Sequence, residues 1–356
     1  MAPNTQFKIL SIDTSCDETA AAVTEGKKVL SNIIWSQASL HAKFGGVYPS
    51  LAKRMHKERI GWVIEKAIKN SKVKIKNIDS IAVTVGPGLA IALEVGIKKA
   101  LEFAEAYNKP LIPINHVEGH ILSVLAHSRN LKSQISNLKF PALAFVASGG
   151  TTQLILVYKI GDYKILAQTS DDSLGEALDK AARMLGLGYP GGAILEKMAK
   201  KGNSQTYPLP IPMLGQEDKF VFSYSGLKTA FYKLVEKEKP LNQEKIQNLA
   251  ASFQDKAFKH AVRIIQKVFD EYPAKEFWFG GGVAANLELK KRLRFICKQK
   301  GMKMLIPYSK KLCTDNAAMI GISAYYRFKR KKFLTTRDFD KVDRIPRVKV
   351  DKKLPW

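Results

Sequence analysis

The order of strands and helices repeats along this chain, and a repeat of that kind admits few folds. Lys8 to Asp13, Ala20 to Val23 and Lys28 to Ile34 are apolar runs joined by short turns, which predicts three successive strands in hairpins. Ser50 to Asn70 has helical periodicity, Ile78 to Val85 reads as a strand, Leu89 to Tyr107 as a helix and Leu111 to Ile114 as a short strand. The succession then restarts. Ala142 to Ala147, Gln153 to Lys159 and Tyr163 to Thr169 read as strands, and Leu174 to Leu185 as a helix. Helices over Ile246 to Glu271 and Leu287 to Lys300 flank a strand at Phe277 to Phe279, and a last helix starts near Thr314. Each half opens on a strand followed by a small polar turn, Asp13-Thr14-Ser15 first and Ser148-Gly149-Gly150 second. Direct identity between the halves is slight, so the repeat is one of element order and turn chemistry.

The fold class this predicts is α/β: two lobes, each a mixed sheet flanked by helices, facing each other across a cleft, as in the actin-like ATPase (ASKHA) architecture. The expected first lobe is residues 1–115 plus about 315–345, the second is 116–314, and 346–356 is a basic tail. Glycine-rich turns at the ends of strands would bring backbone N–H groups to phosphates in such a cleft.

His116-Val117-Glu118-Gly119-His120 carries the clearest chemistry. Residues four apart share one helix face, so two imidazoles could take one divalent metal. A zincin would need Glu directly after the first His to act as general base. Val117 stands there, and Glu118 points about 100° away from it around the helix. The pair reads as a metal grip without a protease's base.

Other motifs keep two readings at this level. Ser148-Gly149-Gly150 is either an anion-binding turn or an ordinary hairpin turn. Gly280-Gly281-Gly282 with Asn286 is either a ligand-contacting turn or the start of a helix. The breaker cluster Leu185 to Gly192 ends a helix and shapes a loop, with Asp179 upstream as a ribose ligand or a solvated carboxylate. In Cys313-Thr314-Asp315-Asn316, Thr314 or Asp315 is a fair N-cap, and spacing cannot decide whether Asp315 serves a metal. His41 and His56 read as packing or surface groups, and Cys16 as a small turn residue without a nearby base.

The chain carries 58 Lys and Arg against 32 Asp and Glu, a formal net charge of +26. Such an excess points to a polyanionic partner, most simply nucleic acid, held through its phosphates; the alternative reading is a basic proteome or plain solubility. Its three cysteines, Cys16, Cys297 and Cys313, give no disulfide framework, which suits a reducing cytoplasm. No apolar run reaches the roughly 18 residues of a membrane span. Met1 to Gln6 is too short a leader for a signal or transit peptide.

Taken together, these segments resemble the tRNA threonylcarbamoyladenosine transferase (TsaD-like) family. The resemblance rests on Asp13 to Thr19, Phe44 to Pro49, Gly86-Pro87-Gly88-Leu89 and His116 to His120. It continues through Ser148-Gly149-Gly150, Gly175 to Gly192, Phe222 to Ala230, Gly280 to Asn286 and Cys313 to Asn316. It spans roughly residues 8–325 in order; each motif is weak alone and specific in company. Within it, Asp13, Ser50, Ile91 and Thr151 depart from the usual Glu, Glu, Gly, and His or Asn.

The resemblance implies an actin-like fold and a cytoplasmic acyltransferase. It would move threonylcarbamoyl from threonylcarbamoyl-AMP to N6 of adenosine 37 in tRNAs reading ANN codons, releasing AMP. It implies one metal, Fe(2+) with Zn(2+) as the alternative, on His116, His120 and Asp315. It implies an adenylate site at Val146, Ala147, Ser148, Gly149, Gly150, Asp179, Gly192 and Asn286, in a cleft that also suits ATP. A TsaB-like paralogue and a TsaE-like ATPase are the implied partners, with no membrane. The basic stretch past Phe328 lies outside the shared pattern and reads as an additional tRNA contact or a disordered end. The rival readings are a non-catalytic actin-like nucleotide-binding regulator, a small-molecule kinase of the same superfamily, and a metalloprotease.

Overall fold

The computed structural model describes residues 6–128 and 137–356, so most of the Met1 to Gln6 leader lies outside the described residues. In chain order the strands are β1 (Lys8–Asp13), β2 (Glu18–Glu25), β3 (Lys28–Ser36), β4 (Ser80–Gly86), β5 (Leu111–Asn115), β6 (His127–Ser128), β7 (Ala142–Ala147), β8 (Thr152–Lys159), β9 (Asp162–Thr169), β10 (Val221–Phe222), β11 (Glu276–Gly280) and β12 (Lys303–Leu305). The helices are α1 (Ala38–His41), α2 (Pro49–Ser71), α3 (Ala90–Ala106), α4 (His116–Leu122), α5 (Leu174–Met184), α6 (Gly191–Ala199), α7 (Ser225–Glu238), α8 (Gln243–Glu271), α9 (Leu287–Gln299) and α10 (Ala317–Lys329).

The two sheets have the same wiring. The first runs β5-β4-β1-β2-β3-β6 and the second, read from its other edge, β12-β11-β7-β8-β9-β10. In each, the first three strands are antiparallel neighbours, and the next two add in parallel beside the first. The repeat of element order is therefore a repeat of topology, and the architecture is the two-lobed one expected. Parallel strands β4 (SIAVTVG) and β11 (EFWFG) are buried along their whole length, which is why both are mostly apolar.

Alternation along β7 sends its side chains to two different cores. Leu143, Phe145 and Ala147 pack among the helices of the second lobe, while Ala142, Ala144 and Val146 face a core shared with the first. That shared core also takes Val117, Ile121 and Leu122 of α4, Ala317, Ala318 and Ile322 of α10, and Ala20 and Ala22 of β2. Helices α4 and α10 thus lie between the sheets, and every residue of α4 is buried. Gly119 permits this: a Cβ there would meet Ile320 Cδ1 at 3.0 Å and Met319 Cγ at 3.1 Å.

Several elements differ from expectation. Helices α1, α6 and α7 fall where the sequence predicts none, and Gly191 and Gly192, read as loop, form the first turn of α6. The last helix starts at Ala317, capped by Asn316, whose Oδ1 accepts from Met319 N–H at 3.1 Å. Neither Thr314 nor Asp315 is the cap. The basic C-terminal stretch is ordered. Leu334, Phe339 and Val342 enter the first lobe's core, with Leu354 and Trp356 packed against it, and Val350 reaches the shared core.

Candidate metal and nucleotide cleft

The carboxyl ends of β1, β4, β7 and β11 all meet the space between the lobes. Strand order reverses between β1 and β4 in the first sheet and between β7 and β11 in the second, the place where open α/β sheets bind ligands. The turns that follow these strands line a cleft of about 930 Å³, a size suited to a nucleotide-like ligand. Ser15 to Glu18, Pro87 to Leu89, Ser148 to Thr151 and Gly282 contribute to its walls. Lys43, Gly45 and Gly46 enter from the first lobe, and Glu176, Asp179, Lys180, Arg183 and Tyr189 from the second. Arg183 spans the gap, donating from Nη1 to the Gly45 carbonyl at 3.0 Å.

His116 and Asp315 also line the cleft, with His120 fully buried behind them. Asn115 starts α4 by accepting from the N–H groups of Val117 and Glu118 at 2.9 and 3.3 Å, worth about 1 kcal/mol as an N-cap. One turn of helix then sets the two imidazoles edge to face, with ring centroids 4.7 Å apart. Asp315 Oδ1 lies 3.1 Å from His120 Nε2 and 3.4 Å from His116 Nε2. With Asn316 doing the capping, the Asp315 carboxylate is left to meet the histidines. One ligand atom from each of the three residues falls within 4.8 Å of the others.

Two imidazole nitrogens and a carboxylate oxygen are a donor set suited to a divalent ion such as iron or zinc. The electrostatics agree with a seat for positive charge. Burial opposes protonation of His116, yet Asp315 and then Asp13 overcome it and hold its imidazole well above its ordinary range. Burial keeps His120 below that range, although Asp315 pulls the other way. Burial would raise the Asp315 carboxyl, but His116 and His120 together hold it far below the usual range. Asp13 Oδ2 stands 3.6 Å from His116 Nδ1, on the side away from Asp315. A carboxylate behind a ligating imidazole fixes its ring and tautomer. We expect Asp13→Asn to lower the affinity for divalent metal about 10-fold while leaving the fold intact, as titration calorimetry and circular dichroism would show.

Glu118, the residue that would have to serve a zincin-like reaction, is turned elsewhere. It is buried and accepts from the Tyr163 hydroxyl at 2.9 Å. Cys16 is no better a nucleophile, because burial, and then Asp17, Asp315 and Glu18, push its thiol well up. His56 and His41 are internal braces. His56 meets Thr19 Oγ1 at 2.8 Å and the Cys16 carbonyl at 2.9 Å, and His41 meets Gln37 Oε1 at 3.1 Å.

The remaining sequence-derived residues divide into wall and frame. Ser148, Gly149, Gly150 and Asp179 are at the cleft wall. The Ser148 turn is closed by Ser148 N–H to the Thr151 carbonyl at 2.7 Å, and Ser173 Oγ donates to the carbonyls of Ser148 and Gly149. Asp179 Oδ1 accepts from Gly192 N–H at 2.7 Å, so Gly192 stands behind Asp179. Burial raises the Asp179 carboxyl, against the N–H groups of Gly192 and Gly191. Val146 and Ala147 are fully buried in β7. Asn286 caps α9 through Leu289 N–H at 3.0 Å and donates from Nδ2 to Gln254 Oε1 at 3.1 Å, and it is not at the wall. Sequence reading did not single out Lys43, Arg183, Tyr189 or Pro346 for the cleft, and only contacts between distant segments could have found them.

Comparison with known proteins agrees on fold and family. Residues 28–322 match the family described as TsaD: tRNA N6-adenosine threonylcarbamoyltransferase. A tRNA N6-adenosine threonylcarbamoyltransferase from Thermodesulfovibrio yellowstonii is 44% identical over 325 residues, covering 90% of this chain and 94% of that protein. One from Syntrophomonas wolfei is 42% identical over 326 residues, covering 91% and 94%. Among solved structures, HypF from T. kodakarensis aligns with a TM-score of 0.58 at 14% identity, over 91% of this chain and 48% of that one. The activator of 2-hydroxyisocaproyl-CoA dehydratase from Clostridium difficile aligns with a TM-score of 0.53 at 13% identity, over 95% and 99%. The structural likenesses speak to the fold alone.

Proposed function

Because this chain belongs to the tRNA N6-adenosine threonylcarbamoyltransferase family, a family of tRNA-modifying transferases, we propose that its cleft joins threonylcarbamoyl-AMP to adenosine 37 of tRNAs reading ANN codons. The observation that carries this reading is the placing of the His116, His120 and Asp315 group at a cleft that the Ser148-Gly149-Gly150 turn also lines. In the reaction the adenosine N6 attacks the carbamoyl carbon. A C–N bond forms, the C–O bond to the phosphate breaks, AMP leaves as an anion and the amine loses one proton.

A divalent ion held by His116, His120 and Asp315, Fe(2+) in our reading and Zn(2+) as the alternative, would supply Lewis-acid polarisation of oxygen. The chain's own groups do the rest. Backbone N–H groups of Gly149 and Gly150 would receive phosphate, and Asp179 a ribose hydroxyl. Gly192 would hold Asp179 in place, and Val146, Ala147 and Asn286 would hold the frame behind the turns. Asp13 would orient His116. An aromatic amine is a weak nucleophile, so fixing it beside the acyl carbon would contribute much of the acceleration. ATP would suit the same cleft. We further propose that the chain works in the cytoplasm with a TsaB-like paralogue and a TsaE-like ATPase.

The test is reconstitution. The chain, a threonylcarbamoyl-AMP synthase, those partners, ATP, bicarbonate, labelled threonine and tRNA are combined. Label should enter tRNA with one AMP released per group transferred. Label that stays in threonylcarbamoyl-AMP in the presence of competent tRNA would overturn the reading.

A further inference from the structure

We propose that the C-terminal segment 344–353 is a strap fixed at the rim of the cleft that grips the tRNA backbone beside the target adenosine; the inference rests on the acceptor being tRNA. The segment lies beyond residue 322, where the family match ends.

Its position is set by backbone bonds. Ile345 N–H donates to the Val85 carbonyl at 2.7 Å, and Gly88 N–H donates to the Pro346 carbonyl at 3.1 Å. Both bonds fall on the end of β4 and the turn that lines the cleft, and Pro346 itself is part of the cleft wall. On either side the chain is pinned by buried Val342 and Val350. A segment held in this way cannot drift from the rim without breaking core contacts.

What the strap shows to solvent is positive charge. Residues 344–353 contain five basic side chains and one carboxylate, Asp351. Arg347, Lys349, Lys352 and Lys353 are exposed, and no described carboxylate forms an ion pair with any of them. Arg347 follows Pro346 directly, so it is one Cα step of ~3.8 Å from the wall. The interior of the cleft is of mixed sign, with Asp17, Glu18, Glu176, Asp179 and Asp315 set against Lys43, Lys180 and Arg183 in its lining. A nucleotide whose base is drawn into an enclosed site leaves its own and neighbouring phosphates outside. Unpaired cations fixed at the rim match that placement, and they match the phosphate backbone without reading sequence.

The test uses the full chain carrying Arg347→Ala and Lys349→Ala together, with Lys233→Ala and Lys237→Ala on α7 as a charge-matched control away from the cleft. Binding of unmodified tRNA is measured across a salt series, without chemistry. The strap variant should bind roughly 10-fold more weakly near 150 mM salt. Its slope of log affinity against log salt should be shallower by about 1.5, the loss of two phosphate contacts. In the transfer assay its KM for tRNA should rise by a similar factor, with kcat within two-fold of wild type. Affinity and slope equal to those of the control would overturn the strap. So would a fall in kcat at unchanged KM, which would make the segment part of the chemistry. A wild-type chain that binds tRNA in a strap-dependent way but transfers nothing would overturn the proposed reaction and uphold the strap.

Discussion

His116→Ala is expected to leave a folded protein that no longer retains divalent metal and transfers threonylcarbamoyl at least about 10³-fold more slowly. Losing a carboxylate that only orients a ligating imidazole typically costs about 10–100-fold, and removing the imidazole itself must exceed that. The geometry gives no obvious substitute. His120 is fully buried behind His116, Asp315 is shared between the two rings, and Asp13 reaches the site only through His116 Nδ1. The variant would also leave two carboxylates facing one another across the space of the lost ring. Metal content by elemental analysis and transfer under single-turnover conditions check the two halves of the prediction separately. Retained metal with lost activity would place His116 on the substrate and off the metal.

The second large effect concerns the joint between the cleft and the strap. Gly86 has φ near +152°, and a Cβ added there would lie 1.9 Å from the Ile345 carbonyl oxygen and 2.7 Å from its carbon. The obstacle is backbone, which cannot rotate away as a flexible side chain could. Gly86→Ala therefore combines an unfavourable dihedral with displacement of the strap, roughly 2–4 kcal/mol of stability in all. Chemical denaturation should show that loss, and limited proteolysis should cut sooner within residues 343–356. Because the displaced strap carries Arg347 and Lys349, tRNA affinity should fall with it. Wild-type stability and unchanged protease resistance would mean that the strap does not lean on Gly86.

The regular part of the fold was legible because its signals are local. Hairpin strands show themselves by apolar runs and turn residues, and the two sheets share one strand order because the same succession is written twice. Helix α4 was legible only in part: the spacing of its two histidines suits one face of a helix, but no run of helical periodicity marks it. Its cap, Asn115, sits one residue before it. Helix α6 was hidden by Gly191 and Gly192, which read as breakers; its start is held by Asp179, whose carboxylate accepts from Gly192 N–H. The meeting of Asp315 with His116 and His120 has no local signature. It exists because α10 crosses the first sheet, where Ser11 Oγ donates to the Ala317 carbonyl at 2.6 Å, and packs on Gly119 of α4. The order of the C-terminal stretch was equally illegible, since its hydrogen bonds join Ile345 to Val85 and Pro346 to Gly88.

Asp315 gives the sharpest test, because it brings a carboxylate from the distant C-terminal part of the chain to the histidine pair. Reconstituted reactions with wild-type enzyme and with Asp315→Asn would be stopped, the tRNA digested, and its nucleosides resolved by mass spectrometry. Threonylcarbamoyladenosine is expected from position 37 with the metal-loaded wild type, and none above background with Asp315→Asn or with wild type stripped of metal. Equal amounts of the modified nucleoside in all three reactions would contradict that expectation.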